Sequence, residues 1–365
     1  MFSERLKIAR KRAGLSLRNL AEQLGGVVSA QAIGKYEQGK MFPSSSVLVS
    51  LARTLDVSLD FLTSSQVASL GEVEFRKNIS TRGVDVARIE ASVINEVEKY
   101  LSIEAILDLP SDYSALSNMQ KKMQCSMEDA EQAAMDLRNS WCLGTDAITS
   151  VTGLFEEKGI KVLLLEMPNN FSGLTCDVQR GGGLAPVPVI VANSQSTIER
   201  RRFTLCHELA HKLIADVAQG YDHEKVMHRF ASAFLMPADR IRAELGEARH
   251  ALAYQEIMRV KRMFGVSAAA LIVRCRDLRI LPPNVVTYMF QGQALGWKTR
   301  EPDPITVNDE MAKRERPERF RQLVYRALAE RLISLPKAAG MLNLPLVEIE
   351  MAIRGPVVSD AHYSQ

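Results

Sequence analysis

The chain has 365 residues with a formal net charge of +3 at pH 7, of which 46% are hydrophobic and 24% are charged. This composition is typical of a soluble globular protein with two or three domains. No run of eighteen apolar residues exists and the N-terminus lacks an apolar signal core, so neither a membrane partner nor export is expected. The five cysteines are dispersed without a C-x-x-C pair, which favours reduced thiols in a cytoplasmic protein.

Positive charge is concentrated at the start of the chain. Residues 1–40 contain eight basic and three acidic side chains, a local charge of +5. Such a bias indicates either a polyanionic partner or a merely solvated charged face. The pattern of helices in the same region is needed to choose between them.

Five short helices are predicted over the first 62 residues. Ser16 and Ser29 are placed as helix N-caps, while Gly14 and Gly39 are placed at helix ends. A capped helix-turn-helix between residues 16 and 38 is an arrangement that reads DNA. The stretches L-S-L-R-N-L-A at 15–21 and I-G-K-Y-E-Q-G-K at 33–40 resemble the XRE, or lambda-repressor-like, family.

That resemblance implies a double-stranded DNA operator as partner, with the third helix in the major groove. Gln31 would bond an adenine edge, and Lys35 lies one turn further along the helix. Arg18 and Lys40 would contact phosphates. Alanine and glycine stand at positions 30, 32 and 34, where the family often has polar residues, so base readout is expected to be modest or based on DNA shape.

The middle of the chain changes character twice. Residues 63–80 are polar without clear periodicity, which predicts a linker. Residues 84–107 predict a long amphipathic helix. This helix either packs on the next domain or pairs with a second protomer, so the sequence leaves a homodimer as one of two alternatives. Short β-branched runs at 160–165, 174–178 and 188–192 then predict a small sheet.

Residues 207–211 read H-E-L-A-H, the H-E-x-x-H pattern of zinc peptidases. On a helix, His207 and His211 share one face and can converge on one Zn²⁺. Glu208 lies beside them, where it can deprotonate water. The helix is predicted from a capping box formed by Ser196 and Glu199. No glycine or proline interrupts the sequence from there to Ile214.

A third ligand is needed, and three candidates follow on a second predicted helix. That helix spans 222–235 with Asp222 as N-cap, and it carries His223, Glu224 and His228. A carboxylate as third ligand leaves one tetrahedral position open, as catalysis requires. His223 and His228 are more readily interpreted as solvated histidines or as histidines that flank the ligands.

Two stretches carry a second resemblance. R-F-T-L-C-H-E-L-A-H at 202–211 and E-K-V-M-H-R-F-A-S-A-F-L-M-P at 224–237 resemble the ImmA/IrrE metallopeptidase family. The resemblance implies zinc ligands at His207, His211 and Glu224, with Glu208 as general base. The sequence departs from the family pattern at 227–228, where Met-His replaces the usual Ala-Asn. In zinc peptidases of this plan, an edge strand beside the metal binds the peptide by β-addition.

The remainder of the chain is predicted to be helical. Residues 282–308 are predicted to be irregular, and a helix ending near Arg274, Arg276 and Arg279 is predicted to be basic. Residues 316–353 predict helix, turn and helix, in which acidic residues favour an interaction surface. This part again resembles the C-terminal region of longer ImmA/IrrE-type regulators.

The expected fold is therefore mainly α with a small β-sheet. Its expected parts are an N-terminal five-helix helix-turn-helix domain (1–65), a linker and amphipathic helix (66–110), an α+β zincin-like metallopeptidase domain (111–250) and a helical, helix-turn-helix-like C-terminal domain (251–365).

Three functions stay open at this stage. One is a DNA-binding regulator with a zinc endopeptidase that cleaves a repressor or antitoxin in a stress, prophage or toxin–antitoxin circuit. The others are a repressor or antitoxin whose zinc domain is a sensing or interaction module, and a self-cleaving repressor. Single-stranded DNA as an activator is implied by the resemblance alone.

Overall fold

The computed structural model describes residues 2–57, 59–63, 67–70, 83–109, 121–169, 171–180 and 184–354. The predicted linker, residues 63–80, lies outside these residues except at Thr63 and Val67–Leu70.

The N-terminal region forms the five predicted helices. They are α1 (Phe2–Arg12), α2 (Leu17–Gln23), α3 (Ala30–Glu37), α4 (Ser45–Thr54) and α5 (Leu59–Thr63). The hydroxyls of Ser16 and Ser29 accept hydrogen bonds from backbone N–H groups two or three residues into α2 and α3, which confirms both predicted caps. One aliphatic side chain from each of α1 to α4 is fully buried: Leu6, Leu20, Ile33 and Leu51.

A four-stranded sheet follows, in the order β1-β3-β4-β2. Its strands are β1 (Val67–Leu70), β2 (Lys161–Leu165), β3 (Gly173–Arg180) and β4 (Val187–Asn193). β2 is parallel to β4, whereas β3 is antiparallel to β4 and β1. The three predicted strands are confirmed. The prediction of a linker was wrong at Val67–Leu70, because these residues form β1. Four residues are too few to show strand periodicity, and this strand exists because it pairs with the end of β3.

The long helix α6 (Gly83–Ile106) packs inside the chain, against α1, β1 and β2. Arg5 of α1 makes a buried salt bridge with Glu98 of α6. Lys161 of β2 makes another with Glu104, with the ammonium nitrogen 2.5 Å from the carboxylate oxygen. Helix α6 therefore joins the N-terminal helices to the sheet.

The sheet is covered on both faces. Helices α7 (Met127–Ser140), α8 (Val151–Glu157), α9 (Ile198–Leu213), α10 (His223–Leu235), α11 (Ala238–Leu245), α12 (Tyr254–Phe264) and α13 (Ala268–Asp277) follow in order. Alternate residues of β4 point to opposite cores, as expected for a strand. Ile190 and Ala192 pack with α9 and α10, whereas Val189 and Val191 share a core with α6 and the N-terminal helices.

The C-terminal part contains α14 (Pro283–Gln291), α15 (Glu310–Arg314), α16 (Arg319–Ala329), α17 (Leu335–Leu342) and α18 (Leu346–Arg354). The prediction of irregular structure over residues 282–308 was therefore wrong for α14. Pro283 stands in the first turn of this helix, where proline is favoured. The predicted helix, turn and helix at 316–353 are three helices, and α16 packs on α6. Arg274 is fully buried and does not contribute to a basic surface. Across the described residues, no helix has both the length and the apolarity needed to cross a membrane.

Candidate metal centre

Helix α9 carries the H-E-x-x-H residues and begins one residue later than predicted. Thr197 is its N-cap, with the hydroxyl accepting from the N–H of Arg200. Ser196 instead lies in the turn after β4, where its N–H donates to the Asn193 carbonyl. Glu199 is fully buried and bonds Lys261, so the predicted capping box was wrong.

Three donor atoms converge between α9 and α10. His207 Nε2 lies 3.1 Å from His211 Nε2 and 3.3 Å from Glu224 Oε2. His211 Nε2 lies 3.7 Å from Glu224 Oε1. Donors about 2.0–2.1 Å from a tetrahedral zinc stand roughly 3.3 Å apart, so the three separations fit one such ion.

The donor set is exposed to solvent on the Glu224 side. Glu224 has a side chain that is 44% exposed, whereas His207 and His211 are buried. The N-cap Asp222 accepts from the N–H of Lys225, which fixes the first turn of α10 and with it Glu224. Solvent can therefore reach the Glu224 carboxylate.

Glu208 is 1% exposed and points toward β3. A Cβ placed on Gly173 of β3 would lie 3.4 Å from the Glu208 Cγ and only 2.5 Å from the Thr204 Cγ2. Glycine at 173 thus lets β3 approach α9 closely enough to flank the carboxylate. Lys212 holds the two elements together, because its ammonium donates to the Asp177 carboxylate over 2.7 Å.

The two other histidines of α10 flank the donor set. The His228 ring centroid lies 4.6 Å from that of His207, and the His223 centroid lies 5.2 Å from that of His211. Both rings are therefore neighbours of the candidate ligands. Among the described residues, the donor atoms of His207, His211 and Glu224 lie within 4.8 Å of one another. His223 and His228 do not belong to this group.

Cys206 precedes the first histidine but faces the core. It is fully buried, and burial raises the pKa of its thiol well above the usual range. A neutral buried thiol is neither a nucleophile nor a metal ligand.

Sequence reasoning missed the residues that hold α9 in place. Arg202 is fully buried and donates to the carbonyls of Ile148 and Phe264, over 2.8 and 3.1 Å, and to the Glu315 carboxylate. Glu315 also accepts the N–H groups of Val151 and Thr152, which caps the N-terminus of α8. The arginine was visible in the R-F-T stretch, but its partner lies more than a hundred residues away.

The four predicted DNA contacts lie on the surface of the N-terminal helices. Gln31 and Lys35 are exposed on α3, Arg18 is exposed on α2, and Lys40 is exposed after α3. Arg10 of α1 bonds Glu37 of α3 over 2.6 Å and so fixes the helix that carries Gln31 and Lys35. All four side chains are therefore accessible to solvent.

Comparisons with known proteins agree with both halves of this description. Residues 6–62 match the helix-turn-helix family model, and residues 155–276 match the IrrE N-terminal-like domain of the Peptidase_M78 family. The second match includes α9 and α10, which supply all three donor residues.

Relatives match at the N-terminal region. The uncharacterized HTH-type transcriptional regulator YqaE of Bacillus subtilis is 42% identical over 62 residues, which are 17% of this chain and 52% of that protein. The SPbeta prophage-derived regulator YonR of the same species is 45% identical over 62 residues, which are 17% of this chain and 56% of YonR. The transcriptional activator BcrR of Enterococcus faecalis is 35% identical over 79 residues, which are 21% of this chain and 38% of BcrR.

The chain spans about half the length of the first two of these relatives. The likeness to them covers the five N-terminal helices, whereas the metal centre lies in the region matched by the peptidase model. This chain joins an XRE-type helix-turn-helix domain to an IrrE N-terminal-like domain of the Peptidase_M78 family.

Proposed function

We propose that this protein is a DNA-binding transcriptional regulator whose zinc-dependent endopeptidase cleaves a regulatory protein, a repressor or an antitoxin. The observation that carries the proposal is the convergence of His207, His211 and Glu224 beside the buried Glu208. The division of the chain at residues 65, 110 and 250 is part of the same proposal.

His207, His211 and Glu224 would hold the zinc ion. Bound there, zinc supplies Lewis-acid activation of water and polarises the scissile carbonyl. Glu208 takes the proton of the attacking water and passes it to the leaving amine. Its side chain is buried between α9 and β3, which restricts its movement.

The edge of β3 is where a substrate strand would lie. The N–H of Asn193 donates to the Ser172 carbonyl, and Gly173 faces Ala192. In an antiparallel ladder, the backbone groups of Gly173 and Thr175 then point away from β4. In the described part of the chain, β1 pairs only with Val178–Arg180, so a peptide can add beside Glu208.

Zinc content tests the ligand assignment. Glu224→Ala is expected to lower bound zinc from about one per chain to a small fraction, since two imidazoles alone hold the ion weakly. His223→Ala is the matched control, because it removes a neighbouring histidine that is not in the donor group. Elemental analysis of the purified, dialysed proteins gives the result. Full zinc in the Glu224→Ala protein would show that another residue supplies the third ligand.

DNA binding by the full chain tests the N-terminal assignment. Lys40→Ala is expected to weaken binding to all duplexes about equally and to lower the salt slope by roughly one ion. Gln31→Ala is expected to cost about 1–3 kcal/mol on the preferred site only. Fluorescence anisotropy on the protein's own promoter and on a scrambled duplex, at two salt concentrations, separates these effects. Absence of binding to either duplex would contradict the regulator.

A further inference from the structure

A cleft of about 700 Å³ opens beside the metal centre, between α9, α10, α13 and residues 297–301. His228 lines it, and its ring centroid lies 4.6 Å from that of His207, so the cleft adjoins the donor set through this histidine. The functions discussed above assign no role to it.

The walls of the cleft are basic. Five basic and three acidic side chains line it. Glu199 and Glu301 both bind the ammonium of the buried Lys261, over 3.1 and 2.9 Å. Lys261 therefore neutralises one of these two carboxylate charges from within the protein.

The third acidic residue is also engaged. Asp277 pairs with Arg276 over 2.9 Å and with Arg229 over 3.3 Å. The remaining cations, Arg200, Lys225 and Lys298, have no carboxylate partner among the residues that the structure describes. The cleft therefore presents uncompensated positive charge to a ligand.

The floor of the cleft is apolar. Phe203, Val273 and Trp297 line it together with Met127, and all four are partly exposed. Partly exposed aromatic and aliphatic side chains ringed by cations favour a ligand that is apolar in part and negatively charged in part.

The cleft lies between the same two helices, α9 and α10, that carry the metal donors. His207 contacts Glu224, and the ring of Phe203, four residues before His207, lies 5.7 Å from His228, four residues after Glu224. The two helices are therefore antiparallel, and the groove between them runs from the donors toward Arg200. The seven-residue step from His207 to Arg200 rises about 10 Å, which roughly three residues of extended peptide span.

We propose that this cleft is a substrate subsite that takes a large apolar side chain together with an acidic side chain two to four residues from the scissile bond. The proposal rests on the peptidase function and adds the class of sequence that is cut. The acidic side chain pairs with Arg200 and Lys298, and the apolar one packs on Phe203 and Trp297.

Peptide binding tests it on the zinc-loaded full chain carrying Glu208→Gln. The probes are fluorescein-labelled ten-residue peptides with a central Leu-Leu pair, in which the second to fourth positions on either side are Asp, Asn or Lys. Anisotropy is expected to show roughly tenfold tighter binding of the Asp peptide than of the Asn peptide, and the difference should shrink as salt rises. The Lys peptide is expected to bind most weakly.

Charge removal locates the effect. Arg200→Gln with Lys298→Gln is expected to abolish most of the preference for the Asp peptide while leaving Asn-peptide affinity and zinc content unchanged. The matched control is Arg326→Gln with Lys337→Gln, two exposed cations that do not line the cleft. The control protein should keep the tenfold preference.

Two results would overturn the assignment. One is equal affinity for the three peptides. The other is a preference that survives in the Arg200→Gln, Lys298→Gln protein while binding of a ten-nucleotide oligo(dT) is lost, which would make the cleft a nucleic-acid site. Cleavage of the Asp peptide by wild-type protein is scored separately. A charge preference in binding without any cleavage would contradict the peptidase and not the cleft's ligand class.

Discussion

Replacing Glu208 with glutamine is expected to lower the rate of substrate cleavage by roughly a thousandfold, within the range for loss of a general base, and to leave zinc content unchanged. The amide cannot accept the proton of the attacking water. It has nearly the same volume as the carboxylate and fits the same space against Gly173. Mass spectrometry of repressors and antitoxins encoded beside the gene, incubated with each protein, measures the rate.

The outcome separates the three functions. Equal cleavage by wild type and Glu208→Gln would show that Glu208 is not the base. If wild type cuts neither a neighbouring protein nor a copy of itself, with or without single-stranded DNA, the domain acts as a sensing or interaction module. Cleavage of the chain itself would identify a self-cleaving repressor.

The second large effect concerns stability. Arg202→Met is expected to lower the free energy of unfolding by about 3–5 kcal/mol, because it leaves the carboxylate of Glu315 buried without its cation. Both side chains are 0% exposed. The Met side chain also removes the hydrogen bonds to the carbonyls of Ile148 and Phe264. Urea denaturation followed by far-UV circular dichroism measures the change.

Arg262→Met is the matched control for this prediction. Arg262 pairs with Asp303 over 2.6 Å, but both side chains are more than 40% exposed. A solvated pair contributes at most about 1 kcal/mol. If the Arg202 variant were no less stable than the Arg262 variant, Arg202 would not anchor α9.

Several features were predictable because their signals are local. The N-caps Ser16, Ser29 and Asp222 each act within three residues of their own position. The meeting of His207 and His211 follows from the period of a helix, which places positions four apart on one face. Such features depend on little beyond the stretch that contains them.

Other features depend on partners far along the chain. The spacing of Ser196 and Glu199 matches a capping box, yet Glu199 binds Lys261 in the core, 62 residues away. The carboxylate that caps α8 comes from Glu315, 164 residues after Val151. The cleft beside the donors was not predicted, because three helices and a loop form it together. No local pattern carries this information.

Helix α6 places the N-terminal helices and the sheet in one packed unit. Glu98 binds Arg5 of the first helix, and Glu104 binds Lys161 of β2, on the same rigid rod. If binding at one site shifts this helix, the affinities for an operator and for a peptide substrate would be thermodynamically linked. By reciprocity, whatever factor a bound peptide applies to the affinity for DNA, DNA must apply to the affinity for that peptide. A promoter fragment would then act as an effector of the metal centre.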